Sequence, residues 1–323
     1  MPRAVVMRAY GGPEVLAIED GPLPPLKPNE IRVRTIAAAV NHSDLEIRAG
    51  NRPIQRAQPF PYVPGLEVVG DVVELGGAVA DFRFGDRVIT MMQGTGGVRA
   101  KRDGSYAEYA SMPASVAAPV PADLDPLNVA ALGLASVTAF EGLRKLGDVR
   151  RVAVTGASGG VGSAAVCIAR AQGAHVVAIV SRAERVGYAH SLGASEVLLA
   201  SEVENGVLGE ASIDGVLDTV AGKLFRPCAD ALQPDGVLSV VGAVGGGEVT
   251  LDAYALLEIT LTGYSSESLD GPSLRAAMEK ICWWLREGQL KPPSRAVFRL
   301  QDAAQAHAAL EARGVEGRLL LVP

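Results

Sequence analysis

The chain has 323 residues, of which 48% are hydrophobic and 20% charged, and its formal net charge is −6. This length predicts about two domains with a sizeable core, and an acidic chain without a Lys/Arg block is a poor candidate for nucleic-acid binding. No apolar run reaches the roughly 18 residues that would span a bilayer. Because the N-terminus lacks a signal-peptide pattern and the three cysteines lie far apart, we expect a reduced, cytoplasmic protein.

The first 120 residues predict a compact all-β region. Short strand-like runs alternate with Gly/Pro turns such as Gly11-Gly12-Pro13. The predicted strands are residues 4–7, 31–40, 68–75, 87–90 and 106–110.

The pattern changes near residue 121, where two helices are predicted at 125–132 and 137–146. Apolar strands then alternate with helices, and their near-continuous Val/Ile/Leu character predicts a doubly wound parallel sheet covered on both faces. These strands are residues 151–155, 175–180, 196–199, 215–218 and 237–241. The remaining elements are a helix at 273–287, a strand at 297–300, a helix at 302–312 and a strand at 318–322, and we expect this tail to pack on the N-terminal β region.

A glycine-rich turn joins the strand RVAVT to the next helix. It comprises Gly156, Ala157, Ser158, Gly159, Gly160, Val161 and Gly162. Such a turn lets backbone N–H groups and a helix N-terminus face a pyrophosphate, so we predict nucleotide binding. The same letters fit the T-G-x-x-x-G-x-G pattern of short-chain dehydrogenases, but no tyrosine after the turn is followed four residues later by lysine. We therefore reject that alternative.

The end of the second strand of this unit indicates which nicotinamide cofactor binds. An NAD-binding unit would place an acid there for the ribose 2′-hydroxyl, whereas this chain reads Val180-Ser181-Arg182. Ser181, Arg182 and Arg185 offer a hydroxyl and two guanidinium groups for a 2′-phosphate. The sequence therefore predicts NADPH, although both arginines could also be solvated residues of the following helix.

Several motifs in fixed order resemble the medium-chain dehydrogenase/reductase superfamily. They include AAAVNHSDLEIRAG, PGLEVVG, FGDRV, VAVTGASGGVG and PDGVLSVVGAVGG. Within it the chain looks like the zinc-free quinone oxidoreductase and enoyl reductase branch. The resemblance implies an α/β protein with a GroES-like β-rich catalytic domain (1–121 and 264–323), a Rossmann domain with a doubly wound parallel sheet that binds NADPH (122–263), and a cleft between them.

The positions that bind zinc in alcohol dehydrogenases of this superfamily have changed. Where those enzymes would read C-H-S-D and G-H-E, this chain reads Asn41-His42-Ser43-Asp44 and Gly65-Leu66-Glu67. An amide is a poor zinc ligand and a leucine is none. We therefore expect no metal, and we expect the three cysteines to be core residues.

Without a Lewis acid, hydride transfer needs an acceptor with its own electron sink. The resemblance implies a reductase that moves hydride from NADPH to a quinone or to the C=C bond of an α,β-unsaturated carbonyl compound, in a homodimer. It also assigns Asn41 to the active site, and Thr138 with Val241, Gly242 and Ala243 to the nicotinamide pocket. A tyrosine that relatives carry after R-x-G is absent from Asn51-Arg52-Pro53, so we predict Tyr62 as its substitute, with Ser43 or solvent as the other proton source.

Two alternatives remain open. One is an enoyl reductase for CoA or carrier-bound thioesters, whose phosphate could meet Arg52, Arg56, Arg99, Lys101 and Arg102. The other is an NADPH-binding protein without catalytic activity.

Overall fold

Segments from both ends of the chain build one structural unit, and the middle of the chain builds a second. The computed structural model describes residues 1–99, 102–312 and 316–323. The terminal unit comprises Met1–Leu134, Ser266–Arg286 and Ser294–Pro323, and the central unit comprises Ala135–Ser265 and Glu287–Pro293. These units divide the chain at 134/135 and 265/266, while the domain boundaries at 121/122 and 263/264 stay a prediction.

Among the described residues, strands and helices alternate regularly only in the middle of the chain. The strands are β1 Arg3–Val6, β2 Ala17–Asp20, β3 Glu30–Val40, β4 Glu67–Leu75, β5 Arg87–Met91, β6 Tyr109–Pro113, β7 Ala117–Pro119, β8 Arg151–Thr155, β9 His175–Val180, β10 Glu196–Leu199, β11 Ile213–Asp218, β12 Leu232–Val240, β13 Thr260–Gly263, β14 Arg295–Arg299 and β15 Arg318–Val322. The helices are α1 His42–Ala49, α2 Pro126–Arg144, α3 Gly160–Ala171, α4 Val186–Ser191, α5 Ala200–Glu204, α6 Phe225–Asp230, α7 Gly271–Arg286 and α8 Ala303–Glu311.

The terminal unit is built around the long strand β3. A sheet runs in the order β14-β15-β3-β4-β5-β7, and β6 also pairs with β3. The final strand β15 is antiparallel to β3, with Leu320 opposite Ala39, so the C-terminal tail belongs to this unit. Ten of the eleven residues of β3 are buried or half-buried, because both faces of the strand are covered.

The central unit is a doubly wound parallel sheet, as predicted. Its strand order is β10-β9-β8-β11-β12-β13, and every pairing within it is parallel. Residues 176–180 of β9 are fully buried, which suits a strand with helices over both faces. The chain runs outward from β8 to β10 and then returns to β11, so the order reverses between β8 and β11. Ligands of such sheets bind at the carboxyl ends of the strands beside this reversal.

Some element boundaries differ from the sequence prediction. The two helices predicted at 125–132 and 137–146 are present as two helical stretches of α2, which meet at Gly133, where φ of 34° and ψ of −137° are not helical. The strand expected at 106–110 is β6 at Tyr109–Pro113, and β2, β7 and β13 were not predicted. These missed strands have only three or four residues each, too few to show a period of two.

One described helix, Pro126–Arg144, is long and apolar enough to cross a bilayer by length and composition alone. In this protein 78% of its apolar window is buried, and the kink at Gly133 interrupts it. That burial is typical of a core helix.

Candidate functional site

The turn between β8 and α3 leaves no room for a side chain at Gly156 or Gly162. Gly156 has φ of +60°, and a Cβ built on Gly162 would lie 2.1 Å from the carbonyl oxygen of Gly156. The backbone N–H of Ser163 is the first in α3 that is bonded to a carbonyl of this turn, that of Gly159. The N–H groups of residues 160–162 therefore have no intrahelical partner, and a helix N-terminus of this kind favours an anion.

A cavity of about 240 Å³ opens at the carboxyl ends of β9 and β11, within the central unit. It is lined by Gly156, Ile179, Val180, Ser181, Ala200, Glu204, Val220, Ala221, Lys223, Leu224 and Gly245. Of the residues predicted to select the cofactor, Ser181 lines this cavity, whereas Arg182 and Arg185 flank the short turn that follows β9. Lys223 and Glu204, which also line the cavity, were not predicted from the sequence. Lys223 could have been found, since it follows β11 closely and the carboxyl ends of parallel strands meet at one edge of a sheet.

A buried carboxylate anchors the wall of this cavity. Asp218 is fully buried at the end of β11, and its Oδ1 accepts hydrogen bonds from Thr155 Oγ1 at 2.6 Å and from the backbone N–H groups of Val220 and Ala221 at 2.9 Å. Thr219 in turn donates to the carbonyl oxygen of Thr155. The loop after β11 is therefore fixed to β8, the strand that leads into the glycine-rich turn.

The residues predicted to contact nicotinamide lie in the same unit. The backbone N–H of Val241 donates to the carbonyl oxygen of Asp218, and a Cβ on Gly242 would lie 2.8 Å from the carbonyl oxygen of Thr219. Ala243 continues this backbone segment, and Thr138 is buried on α2. The close approach at Gly242 places this segment directly beside the loop that Asp218 anchors.

Asn41 belongs to a buried polar cluster in the terminal unit. Its Nδ2 donates to Glu67 Oε1 at 2.8 Å and to the carbonyl oxygen of Ala39 at 3.3 Å. Arg318 donates from Nη2 to both Asn41 Oδ1 and Glu67 Oε1, at 2.9 and 2.7 Å. The amide orientation of Asn41 is thus set by two acceptors on one side and a cation on the other.

Glu67 holds the centre of this cluster. Its second oxygen, Oε2, accepts the backbone N–H of Leu134 at 2.6 Å, and a Cβ on Gly133 would lie 1.8 Å from that oxygen. The kink in α2 therefore depends on a glycine that leaves room for the carboxylate. Burial raises the pKa of Glu67, and the Arg318 guanidinium partly offsets this effect.

Two further titratable groups of the terminal unit are buried. Asp44 Oδ2 accepts the backbone N–H of Asn41 at 2.8 Å, and burial raises the pKa of this carboxyl to about 7. His307 lies between Arg48 and Tyr106, each 3.3 Å from one ring nitrogen, and burial lowers its pKa to about 3. Glu67, Arg318 and His307 were not predicted as functional residues from the sequence. An arginine beginning an otherwise apolar final strand was the available signal for Arg318.

Ser43 and Tyr62, the two predicted proton sources, have different surroundings. Ser43 Oγ accepts a hydrogen bond from Arg52 Nη1 at 3.3 Å and is half-buried. Tyr62 is 2% exposed, its hydroxyl donates to the backbone carbonyl of Gly96, and burial raises its pKa far above its ordinary value. The structure thus gives Tyr62 a packed environment with its donor already used.

The would-be zinc positions hold no suitable ligands. Leu66 is fully buried, and the Asn41 amide is engaged by Glu67 and Arg318. In the part of the chain that the structure describes, no group of three or more His, Cys, Asp or Glu side chains could hold a metal ion. As predicted, the three cysteines are buried, and burial raises the pKa of Cys167 to about 12 and that of Cys282 to about 11.

Comparison with known proteins matches this chain to two family domains, "Alcohol dehydrogenase GroES-like domain" over residues 27–122 and "Zinc-binding dehydrogenase" over residues 160–281. The chain is 32% identical to the quinone oxidoreductase of Sus scrofa, an alignment that covers 99% of this chain and 97% of the relative.

Two solved structures share the whole fold. The Escherichia coli quinone oxidoreductase complexed with NADPH superposes with a TM-score of 0.85 and 26% identity, over 99% of this chain and 100% of that one. An NAD-dependent alcohol dehydrogenase gives a TM-score of 0.86 and 32% identity, over 99% of each chain. Both structures therefore share the GroES-like and Rossmann-like organisation. Together with the pig relative, these matches show that the chain belongs to the medium-chain dehydrogenase/reductase superfamily, in its quinone oxidoreductase branch.

Proposed function

We propose that this protein is an NADPH-dependent reductase that transfers hydride to a quinone or to the C=C bond of an α,β-unsaturated carbonyl compound. The observation that carries the proposal is the tightly packed glycine-rich turn between β8 and α3, which opens beside a cavity at the carboxyl ends of β9 and β11. That arrangement suits a dinucleotide. Relatives named quinone oxidoreductase, one of them solved with NADPH, support the choice of cofactor and acceptor.

The residues of the central unit fit NADPH. The N–H groups at the start of α3 would hold the pyrophosphate, and the segment at residues 241–243 with Thr138 would hold the nicotinamide. The end of β9 carries Ser181 in place of an acid, and Arg182, Arg185 and Lys223 supply positive charge for a 2′-phosphate. When bound, the cofactor supplies a hydride from its nicotinamide ring.

The residues of the terminal unit do not fit the zinc that the description of one matching domain implies. An amide fixed by Glu67 and Arg318, beside a buried leucine, supplies neither the thiolate nor the imidazole that zinc prefers. We therefore propose a zinc-independent reaction, in which the acceptor carries its own electron sink.

The thioester alternative receives no support from the arginines that suggested it. Arg56 and Arg102 pair with Asp103 and Glu30, and Arg52 pairs with Glu267. Lys101 lies outside the described residues, and Arg99 is exposed. This surface is therefore largely neutralised by its own carboxylates and is not a built phosphate site.

We also propose a homodimer that forms through the edge of the central sheet. Strand β13 pairs with β12 on one side only among the described strands, and all four of its residues are exposed or half-buried. Tyr254, Leu256 and Leu257, just before it, are 79%, 52% and 80% exposed. A second copy pairing at this edge would cover both the open backbone groups and the apolar patch. Sedimentation should show a dimer, and Leu257→Asp should shift it toward monomer.

The three buried, unpaired cysteines suit a reducing compartment, and we propose the cytoplasm.

The test of the proposed function is oxidation of NADPH with a panel of acceptors. Quinones and activated enones should react fastest, simple enones more slowly, and saturated ketones and alcohols not at all. Arg182→Ala should weaken NADPH binding about tenfold and leave NADH binding nearly unchanged, because a charged contact to phosphate is worth roughly 1.5–3 kcal/mol.

Oxidation of simple alcohols with no turnover of any quinone or enone would contradict the proposal. Tight NADPH binding with no turnover of any compound would instead indicate the non-catalytic alternative.

A further inference from the structure

The reaction proposed above develops negative charge on a carbonyl oxygen, and that charge needs hydrogen-bond donors. Asn41 cannot supply one, because both hydrogens of its amide are used by Glu67 and by the carbonyl oxygen of Ala39. Tyr62 cannot either, because its hydroxyl is buried and donates to Gly96. Among the side chains of the terminal unit, the candidates are therefore those with an N–H or O–H group that is not already used.

Arg52 lies beside Ser43 and is held in place from two sides. Its Nη2 donates to Glu267 Oε1 at 2.8 Å and its Nη1 to Ser43 Oγ at 3.3 Å, while its backbone N–H donates to the carbonyl oxygen of Glu46 at 3.2 Å. Glu267 is only 8% exposed, and Gln93 donates to its other carboxylate oxygen, Oε2, at 3.3 Å. A buried carboxylate shared by two donors thus fixes the direction of the guanidinium.

The neighbouring arginines show what distinguishes Arg52. Arg48 donates from Nε, Nη1 and Nη2 to Gly11, His307 and Glu311. Arg56 uses the same three nitrogens on Asp103 and on backbone carbonyls.

Arg52, in contrast, uses one N–H of each Nη, and no acceptor among the described residues takes its Nε–H. A guanidinium has five N–H donors, so three remain for a ligand. Its side chain is 39% exposed, so the guanidinium is not enclosed by the residues that hold it.

We propose that Arg52 is a catalytic residue whose guanidinium donates to the carbonyl oxygen of the acceptor as that oxygen becomes negative, with Glu267 as its positioning residue. This inference rests on the proposed function. The hydride brings its electron pair to the β-carbon of an enone, the C=C pair moves toward the carbonyl, and the oxygen of the resulting enolate accepts N–H bonds from Arg52. Water then supplies the proton, and the cofactor is left oxidised by two electrons.

Reduction of a quinone balances in the same way. The hydride adds its electron pair to the quinone, the negative charge develops on an oxygen of the resulting hydroquinone anion, and water then protonates that oxygen. Ser43 acts as a second donor, because its oxygen accepts from Arg52 while its own proton is free to point to the same ligand oxygen. A planar cation held by a buried carboxylate is preorganised for this task and does not have to reorient as the charge appears.

The test compares Arg52→Gln, Arg52→Lys and Glu267→Gln with the wild type, and uses Arg34→Gln as the matched control. Arg34 is an arginine of the same unit, and it pairs with Asp71 at the exposed surface. Loss of one oxyanion donor lowers kcat by about 10²- to 10³-fold in other enzymes. We expect a fall of that order for Arg52→Gln, a smaller one for Arg52→Lys and Glu267→Gln, and unchanged NADPH affinity in all three.

A series of substituted quinones separates this role from a structural one. The loss in Arg52→Gln should be greatest for acceptors whose reduced oxygen is most basic, and added guanidinium ion should partly restore Arg52→Ala. A kcat within about twofold of wild type in Arg52→Gln, or an equal loss across the whole series, would overturn the assignment of Arg52 while the proposed function stands. A wild type that reduces no quinone and no enone would remove the proposed function, and this proposal with it.

Discussion

The candidate site of the central unit relies on backbone groups, whereas that of the terminal unit relies on side chains. In the central unit the turn proposed to bind the pyrophosphate offers backbone N–H groups, and its shape depends on the absence of side chains at Gly156 and Gly162. In the terminal unit the candidate site depends on polar and charged side chains that satisfy one another out of water, at Asn41, Glu67 and Arg318. The first should therefore be sensitive to added atoms and the second to lost partners.

The largest effect should follow from removing the cation of the terminal cluster. Arg318→Met leaves Glu67 buried with its guanidinium partner gone. Breaking a buried ion pair on one side costs about 3–5 kcal/mol, because the remaining charge is uncompensated. Urea unfolding at neutral pH should show a loss of that order in the free energy of unfolding.

The double variant Arg318→Met/Glu67→Gln provides the control. It removes both charges, so it should recover much of the stability lost in the single variant. A double variant that is no more stable than Arg318→Met would show that the pair is not coupled as the distances indicate.

A second prediction concerns the ionisation of Asp44 in the terminal unit. The pKa of Asp44 is raised from 3.8 to about 7, so the folded protein favours its neutral form. The stability that Asp44 contributes is therefore full below about pH 4 and is lost as the pH rises through 7. Asp44→Asn lacks this titration, and its stability relative to wild type should improve by a few kcal/mol between about pH 4 and pH 8.

Unfolding free energies of Asp44→Asn and wild type, measured in urea across that range, check the prediction. Parallel curves would show that Asp44 is ionised in the folded protein at all of these pH values.

The central turn should respond to a single added methyl group. In Gly162→Ala the new Cβ would meet the carbonyl oxygen of Gly156, which belongs to the backbone and cannot move aside cheaply. Overpacking of this kind costs about 1–3 kcal/mol, and the distortion falls on the N–H groups proposed to bind the pyrophosphate. We expect lower stability and weaker NADPH binding by fluorescence titration. Gly187→Ala, whose Cβ would meet nothing within 4 Å inside α4, should not lower stability and should leave NADPH binding unchanged.

This contrast also explains what the sequence predicted. The turn at 156–162 was identified because its requirement is local: glycines between an apolar strand and a helix. The doubly wound sheet was likewise predicted from apolar strand periodicity. The cluster around Asn41 was not, because its members come from residues 41, 67 and 318 and meet only through the pairing of β3 with β4 and β15.

Tyr62 also shows that the sequence does not reveal the partners of a side chain. Its residue type suited a proton donor, but only the fold reveals that its hydroxyl is committed to the Gly96 carbonyl. Arg52 lies in the segment where the expected tyrosine is missing. Only the fold shows that it keeps unused N–H donors, whereas Arg48 and Arg56 use all three of their side-chain nitrogens.

The smallest change in stability is expected at Ala221 of the central unit, a non-glycine residue in a backbone conformation that favours glycine. Ala221 has φ of +55° and ψ of −142°, a region that glycine prefers, and it is held there by the bond from its N–H to Asp218. Ala221→Gly should stabilise the fold by about 1 kcal/mol, because relief of strain exceeds the added flexibility of the unfolded chain. Ala211, with φ of +47° on the surface, is the matched control, and Ala211→Gly should give a similar gain in stability.

The two variants should differ in NADPH affinity, since only Ala221 lines the cavity beside the glycine-rich turn. Equal NADPH affinity in both, measured by fluorescence titration, would mean that this cavity is not where the adenosine half of the cofactor binds.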